Sequence, residues 1–277
     1  MRSRPGTASF GPLVVLALGI ALIAVLSPGV GHAQVFVEDC TGSGDGSSGN
    51  PYCSIQTAVD NATSGDVISV ASGTYDEEVN IDKSVTLDGP NAGVSPNDPN
   101  DPLTPNPNRT SEAIVEPPSG TFAAFHIGAS DVTIDGFTLD GDFDDDGTAD
   151  IGGGINNFEI IPGEGIGVFD GKYRTITDFT VKNNVIQDFT GSGIFICNGS
   201  FGGFSGCTGD PDDAEDGLTE DGVVTGNRLV GLAGNPSNGG AGRGIQMESD
   251  GIIETVTDNV ILTSAETDQS QYGIQTG

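Results

Sequence analysis

The stretch CSIQTAVDNATSGDVISVASGTYDEEVNIDKSVTLDG, residues 53 to 89, decides the fold. It opens with a helical period: Ile55, Ala58, Val59 and Ala62 fall at i, i+3, i+4 and i+7, and Ser54 stands before them as an N-cap. The apolar face is barely two turns long. The period then drops to two, in the short β-branched segments Val67-Ile68-Ser69-Val70, Val79-Asn80-Ile81 and Val85-Thr86-Leu87. The breaks between them, SGTYDEE and DKS, carry neither Asn-Gly nor Asp-Gly at hairpin spacing. The segments therefore read as successive sides of a coil rather than as a meander.

The order Ser-Ile-Gln-Thr-Ala-Val, Gly-Asp-Val-Ile-Ser-Val, Gly-Thr-Tyr-Asp-Glu-Glu-Val, Lys-Ser-Val-Thr-Leu-Asp-Gly over these residues resembles the opening of the pectin-lyase-like superfamily. That resemblance implies an all-β, right-handed parallel β-helix solenoid with a short N-terminal capping helix, Ile55 to Ala62. It specifies a fold and leaves the activity open, because one fold hosts many functions.

Working outward, the coil resumes in Ala113 to Val115, Ala124 to Ile127, Val132 to Ile134 and Phe137 to Leu139. A third turn is expected from Gly165 to Phe169 through Phe179 to Val181 and Asn184 to Ile186 to Gly193 to Ile196. Residues 181–186, 224–229 and 256–261 (VKNNVI, VTGNRL, VTDNVI) align without gaps, and each unit closes on Gly-Ile. Asn184, Asn227 and Asn259 occupy one corner, where left-handed backbone angles and stacked amides would satisfy buried polar groups. The composition agrees: with 44 Gly and no Trp, isolated Ile and Val suit a narrow stack better than a wide core. Residues 90–110 hold six Pro and five Asn and are expected to leave the coil as a loop, because Pro cannot donate to a ladder.

The ends and the charge bound the biology. Arg2 and Arg4, the apolar run Pro12 to Leu26 and Gly31-His32-Ala33 predict a signal peptide over residues 1–33. A Gly/Ser-rich N-terminal loop is expected over 34–53 and the β-helix over 54–277. The sequence stops at Gly277 directly after a repeat strand, from which a longer stack is expected. Export would permit two disulfides, and spacing favours Cys40 with Cys53 and Cys197 with Cys207 over the two other connectivities. The net charge of −31, from 40 acids against 9 Lys+Arg, excludes nucleic acid and anionic lipid as partners. A lysine-poor acidic surface suits high salt, and a halophilic source or calcium-rich surroundings would explain it. The location expected is extracellular or at the cell surface, with no membrane insertion after signal cleavage and polysaccharide or cell-surface components as partners.

Two sets of residues carry candidate chemistry. Asp142, Asp144, Asp146 and Asp150, with Gly147, match positions 1, 3, 5, 9 and 6 of an EF-hand-like calcium loop, although position 12 is Gly153 where Glu is expected. The competing reading is a solvated acidic insertion, and Asp210 to Asp216 is read as solvated charge. The second set is Asp170, Asp178 and Asp188 with Lys172, Arg174 and Lys182, the place where acids and bases mix, while Asp135 and Asp140 flank the strand Phe137 to Leu139. No Asn-Thr-Asp, Gly-His-Gly, Arg-Ile-Lys or Gln-Asp-Thr-Leu occurs, so no catalytic residue is carried over and the catalytic set is unknown. The expectation is a secreted non-catalytic scaffold for surface display or carbohydrate binding. Its alternative is a carbohydrate-active enzyme, either a glycoside hydrolase or a calcium-dependent polysaccharide lyase with Arg174 or Lys182 as base.

Overall fold

The structure is a computed structural model that describes residues 32–142, 144, 149, 153–156, 176–197, 200–201, 207–208, 221–232, 242–248, 253–262 and 272–276. Nearly all of the expected signal segment, and the strand expected at Gly165 to Phe169, lie outside them. The helix forms where its period placed it. α1 (Ile55–Asn61) buries Ile55, Ala58 and Val59, and the Ser54 side chain accepts from the Thr57 amide. The first coil turn completes both of its caps. Glu77 accepts from the amides of Ile55 and Gln56, while the Lys83 ammonium donates to the carbonyls of Val59, Asp60 and Ala62. Opposite charges thus sit at the two ends of the helix dipole.

Three parallel sheets follow. The first holds β1 (Gln34–Val37), β2 (Val67–Val70), β5 (Thr86–Asp88), β8 (Thr133–Asp135), β11 (Thr180–Lys182), β16 (Gly222–Thr225) and β19 (Ile253–Thr257). The second holds β3 (Gly73–Tyr75), β6 (Ala113–Val115), β9 (Thr138–Asp140), β12 (Val185–Gln187), β17 (Arg228–Val230) and β20 (Val260–Leu262). The third holds β4 (Val79–Ile81), β7 (Ala123–Ile127), β10 (Gly153–Asn156), β13 (Ser192–Cys197), β18 (Arg243–Glu248) and β21 (Tyr272–Thr276). From β2 onward the chain visits the sheets in this order, and every strand lies on its counterpart one turn away. This is the parallel β-helix that the opening residues implied. A short antiparallel pair, β14 (Ser200–Phe201) and β15 (Cys207–Thr208), stands apart.

Three strands correct the sequence reading. β1 occupies the start of the segment expected as a loop over 34–53, because Gln34 to Val37 pair residue for residue with Val67 to Val70. β3 lies inside the break SGTYDEE, and β10 begins at Gly153. The Cys40–Cys53 disulfide forms as expected and closes the segment between β1 and α1. The side chains of Cys197 and Cys207 lie outside the described residues.

The interior is one column of Ile, Val and Leu with Phe125, Phe137, Phe179 and Phe189 fully buried. Phe125 and Phe137 meet edge to face at 5.5 Å. The recurring Gly-Ile has a packing cause. A Cβ on Gly193 would stand 2.7 Å from Leu229 Cδ2, and one on Gly244 would stand 2.7 Å from Ile261 Cδ1. Only glycine lets the third sheet begin so close to the second.

The asparagine ladder runs through the described turns. Asn184 Oδ1 accepts from the Phe137 amide, Asn227 Oδ1 from the Asn184 amide and Asn259 Oδ1 from the Asn227 amide. Each Nδ2 returns to a carbonyl of the preceding turn, at Ile134, Val181 and Val224. The left-handed residue is not the ladder asparagine, as expected, but the one before it: Asn183, Gly226 and Asp258 all have positive φ, as does Gly136 before Phe137. The turn is made first, and the amide that follows it points inward to cap it.

Residues 90–110 leave the ladders but fold back along this corner. Arg109 donates to Glu112 and to the carbonyls of Val94, Phe137 and Asn183, while Arg228 donates to Asn97 and to the carbonyls of Pro102 and Leu103. Prolines lack N–H but keep their carbonyls, so the segment offers acceptors to Arg228 on the coil, while its own Arg109 reaches carbonyls of the coil.

Replacing Asn227 with Ala removes four side-chain hydrogen bonds and strands buried groups on two turns. The expected cost is about 3 kcal/mol in denaturant unfolding, against roughly 0.5 kcal/mol or less for Asn108→Ala on the loop surface. Equal effects from the two substitutions would contradict the ladder's role.

Candidate functional site

The third sheet sets one row of side chains outward. In β7, Phe125 and Ile127 are buried in the core, so His126 between them points away from it. The same alternation turns out Asn80 between Val79 and Ile81, Phe195 between Ile194 and Ile196, and Gln246 between Ile245 and Met247. Backbone register aligns Asn80, His126, Asn156, Phe195, Gln246 and Gln275 in a single file. Successive strands step by ~4.8 Å, so the file is a straight array parallel to the coil axis.

Two polar clusters hold this row. His126 is fully buried, with Nε2 2.7 Å from Glu78 Oε1 and Nδ1 2.7 Å from Asn156 Oδ1. Further along, Gln246 Oε1 accepts from Ser192 Oγ and, at 3.1 Å, from Arg243 Nη1. Gln246 is 4% exposed although it points out of the coil. Asn80, Asn156 and Phe195 are half-buried. The sequence held one signal for this row, the residue that follows each Gly-Ile (Asn156, Phe195, Gln246, Gln275), but its members at Asn80 and His126 lack the preceding Gly-Ile.

Of the mixed acid-base set, Lys182 meets Asp135 of the pair that flanks Phe137 to Leu139. Lys182 Nζ lies 3.3 Å from Asp135 Oδ2 on the first sheet, where Asp88, Asp135 and Lys182 are neighbours in register. Asp135 is 4% exposed and also accepts from the Gly93 amide and Asn183 Nδ2. Burial, and then the charge of Asp135, push the Asp88 carboxyl up, while Lys182 opposes the shift. Asp178 sits at a left-handed corner with φ of 57°. Asp140 and Asp188 lie elsewhere, at the end of the second sheet, and Asp170, Lys172 and Arg174 lie outside the described residues.

The expected calcium loop divides in the same way. The Asp142 amide donates to Asp140 Oδ1, and the Asp140 carboxylate also takes Gln187 Nε2 at 2.7 Å. Asp144 is exposed, Gly153 begins β10, and Asp146 and Asp150 lie outside the described residues. Asp142 therefore keeps company with Asp140 and Asp188, which the spacing did not indicate. Among the described residues no group of three His, Cys, Asp or Glu is arranged to hold a metal, and no helix is long and apolar enough to cross a membrane.

No family model and no curated protein matches the chain. Among solved structures it is similar to a rhamnogalacturonan lyase, at 12% identity and a TM-score of 0.37, over 89% of this chain and 66% of that one. It is also similar to a pectin methylesterase in complex with a hexasaccharide, at 12% identity and a TM-score of 0.31, over 80% of each chain. The chain thus spans just under two thirds of the lyase's length.

Burial, with Asp140 and Asp142 nearby, pushes the Asp188 carboxyl up to about 6 from its ordinary 3.8. A folded value above the unfolded one means that the folded state holds the proton more tightly. The associated stability is full below about pH 4 and is lost as pH rises through about 6. Asp188→Asn keeps a side chain suited to left-handed φ and removes the charge. Discounted for solvent screening, it is expected to stabilise by about 1 kcal/mol at pH 8 and by little at pH 4, read as Tm against pH. A variant as pH-sensitive as the parent would refute the assignment.

Proposed function

We propose that the chain is an extracellular, non-catalytic β-helix scaffold that binds a polysaccharide along the outward row of the third sheet. The observation that carries this reading is the chemistry of that row against the rest of the molecule. In a chain with 40 acids, the aligned positions Asn80, His126, Asn156, Phe195, Gln246 and Gln275 hold no carboxylate. The first sheet, by contrast, aligns Asp88 with Asp135. Carboxamides both donate and accept, which suits sugar hydroxyls, and Phe195 between Asn156 and Gln246 supplies an apolar surface for a sugar ring. A straight array at even spacing fits an extended polymer better than a compact ligand.

The test is affinity electrophoresis and calorimetry against a panel of neutral and acidic polysaccharides. At least one is expected to bind, and Phe195→Ala is expected to weaken it about tenfold, roughly 1.4 kcal/mol, with an unchanged circular dichroism spectrum. Absence of binding across the panel, or full affinity in the variant, would remove the support for this reading.

A second reading, a carbohydrate-active enzyme, has one observation in its favour. Burial and the charge of Asp135 beside it push the Asp88 carboxyl up, and neighbouring carboxylates suit acid-base work. Release of reducing ends or of unsaturated uronate product, abolished by Asp88→Asn, would establish it in place of the scaffold.

A further inference from the structure

The geometry points to Arg243 as a subsite for an oxyanion, a carboxylate or sulfate ester carried by the bound glycan; this rests on the polysaccharide reading above. Five Lys and Arg side chains are described, and four of them are committed to structure. Lys83 serves the helix carbonyls, Lys182 pairs with Asp135, and Arg109 and Arg228 bind the folded-back loop to the coil. Arg243 differs from all of them. It makes no ion pair among the described residues, although the chain holds 40 Asp+Glu. Among the described residues its one acceptor is the neutral Gln246 Oε1, and its Nε is shielded from solvent without any hydrogen-bond partner.

A buried guanidinium N–H with no acceptor costs free energy, and a fold that keeps one gains when a ligand supplies the missing oxygen. The edge that remains is also the useful one. Nη1 is held by Gln246, whose oxygen is fixed by Ser192, so the side chain is oriented from one side. The opposite edge, Nε with Nη2, is the fork that an oxyanion grips through two parallel hydrogen bonds. The bond to Gln246, which stands three residues further along β18 and is aligned with Phe195, places the guanidinium beside the row. The net charge of −31 opposes an anionic polymer at long range, but screening over about 8 Å at physiological salt confines that repulsion and leaves the short contact intact. Affinity for an acidic glycan should therefore rise with moderate salt, the reverse of an ordinary basic binding face.

The experiment separates the subsite from the polymer. The full chain, labelled with nitrogen-15, is titrated with glucose, glucuronate and glucose 6-sulfate at matched ionic strength while the Arg243 Nε–H resonance is followed. That resonance is identified by its loss in Arg243→Gln. The expected result is a saturable shift with one or both acids and none with glucose. In parallel, acidic polysaccharide is expected to bind the parent at least about tenfold more tightly than Arg243→Gln, while a neutral polysaccharide of the same backbone, for which Arg243 only steadies Gln246, loses about twofold or less. Should Arg243→Gln fail to fold, Arg243→Lys retains the charge without the Nε fork and is expected to lose the same preference. An unmoved resonance with both acids, or an acid preference that survives in the variants, overturns the subsite even if polysaccharide binds. Failure of every polysaccharide to bind, with the resonance still shifting, overturns the polymer reading and leaves an oxyanion site.

Discussion

The corner amide is the interaction on which the coil depends. A chain that turns from one sheet into the next must leave backbone groups outside both ladders, and in a stack those groups are buried between turns. Asn184, Asn227 and Asn259 answer this with one side chain per turn: Oδ1 takes an amide from one neighbouring turn, and Nδ2 gives to a carbonyl. The left-handed residue just before each asparagine makes the bend sharp enough for strands of three residues. Because each turn is completed by the next, stability is shared between neighbours rather than held in a single core.

Once the corners are satisfied, the inward and outward positions are free to differ. The inward ones are Ile, Val and Leu with a few Phe, and the Gly column lets sheets two and three approach. The outward rows carry different chemistry. The first sheet aligns carboxylates and a lysine, whereas the third aligns amides, a histidine and an aromatic ring. A repeating backbone thus presents faces of unlike character, and the aligned row of the third sheet holds no carboxylate of its own.

The loop of residues 90–110 links these levels. Its carbonyls receive Arg109 and Arg228, so two of the few cations in an acidic chain are spent on fastening it. Gly93 also donates to Asp135, which ties the loop to the acid-base set on the first sheet. What composition suggested as an outlying insertion is part of the wall over the ladder corner.

The sequence alone determined the coil. Period-two segments of three or four residues, a two-turn capping helix after Ser54, the aligned asparagines and the repeated Gly-Ile are local signals, and local backbone physics is enough to read them. It also indicated the Cys40–Cys53 link, since the two are close in the chain. Only the tertiary structure decided which outward residues stand together. Asn80, His126, Asn156, Phe195 and Gln246 are separated by loops of unequal length, so their alignment follows from strand register and not from any constant spacing. For the same reason Asp142 stands near Asp188, a neighbour that its spacing did not indicate, and Arg243 is left with an unmatched donor that no count of charges could reveal.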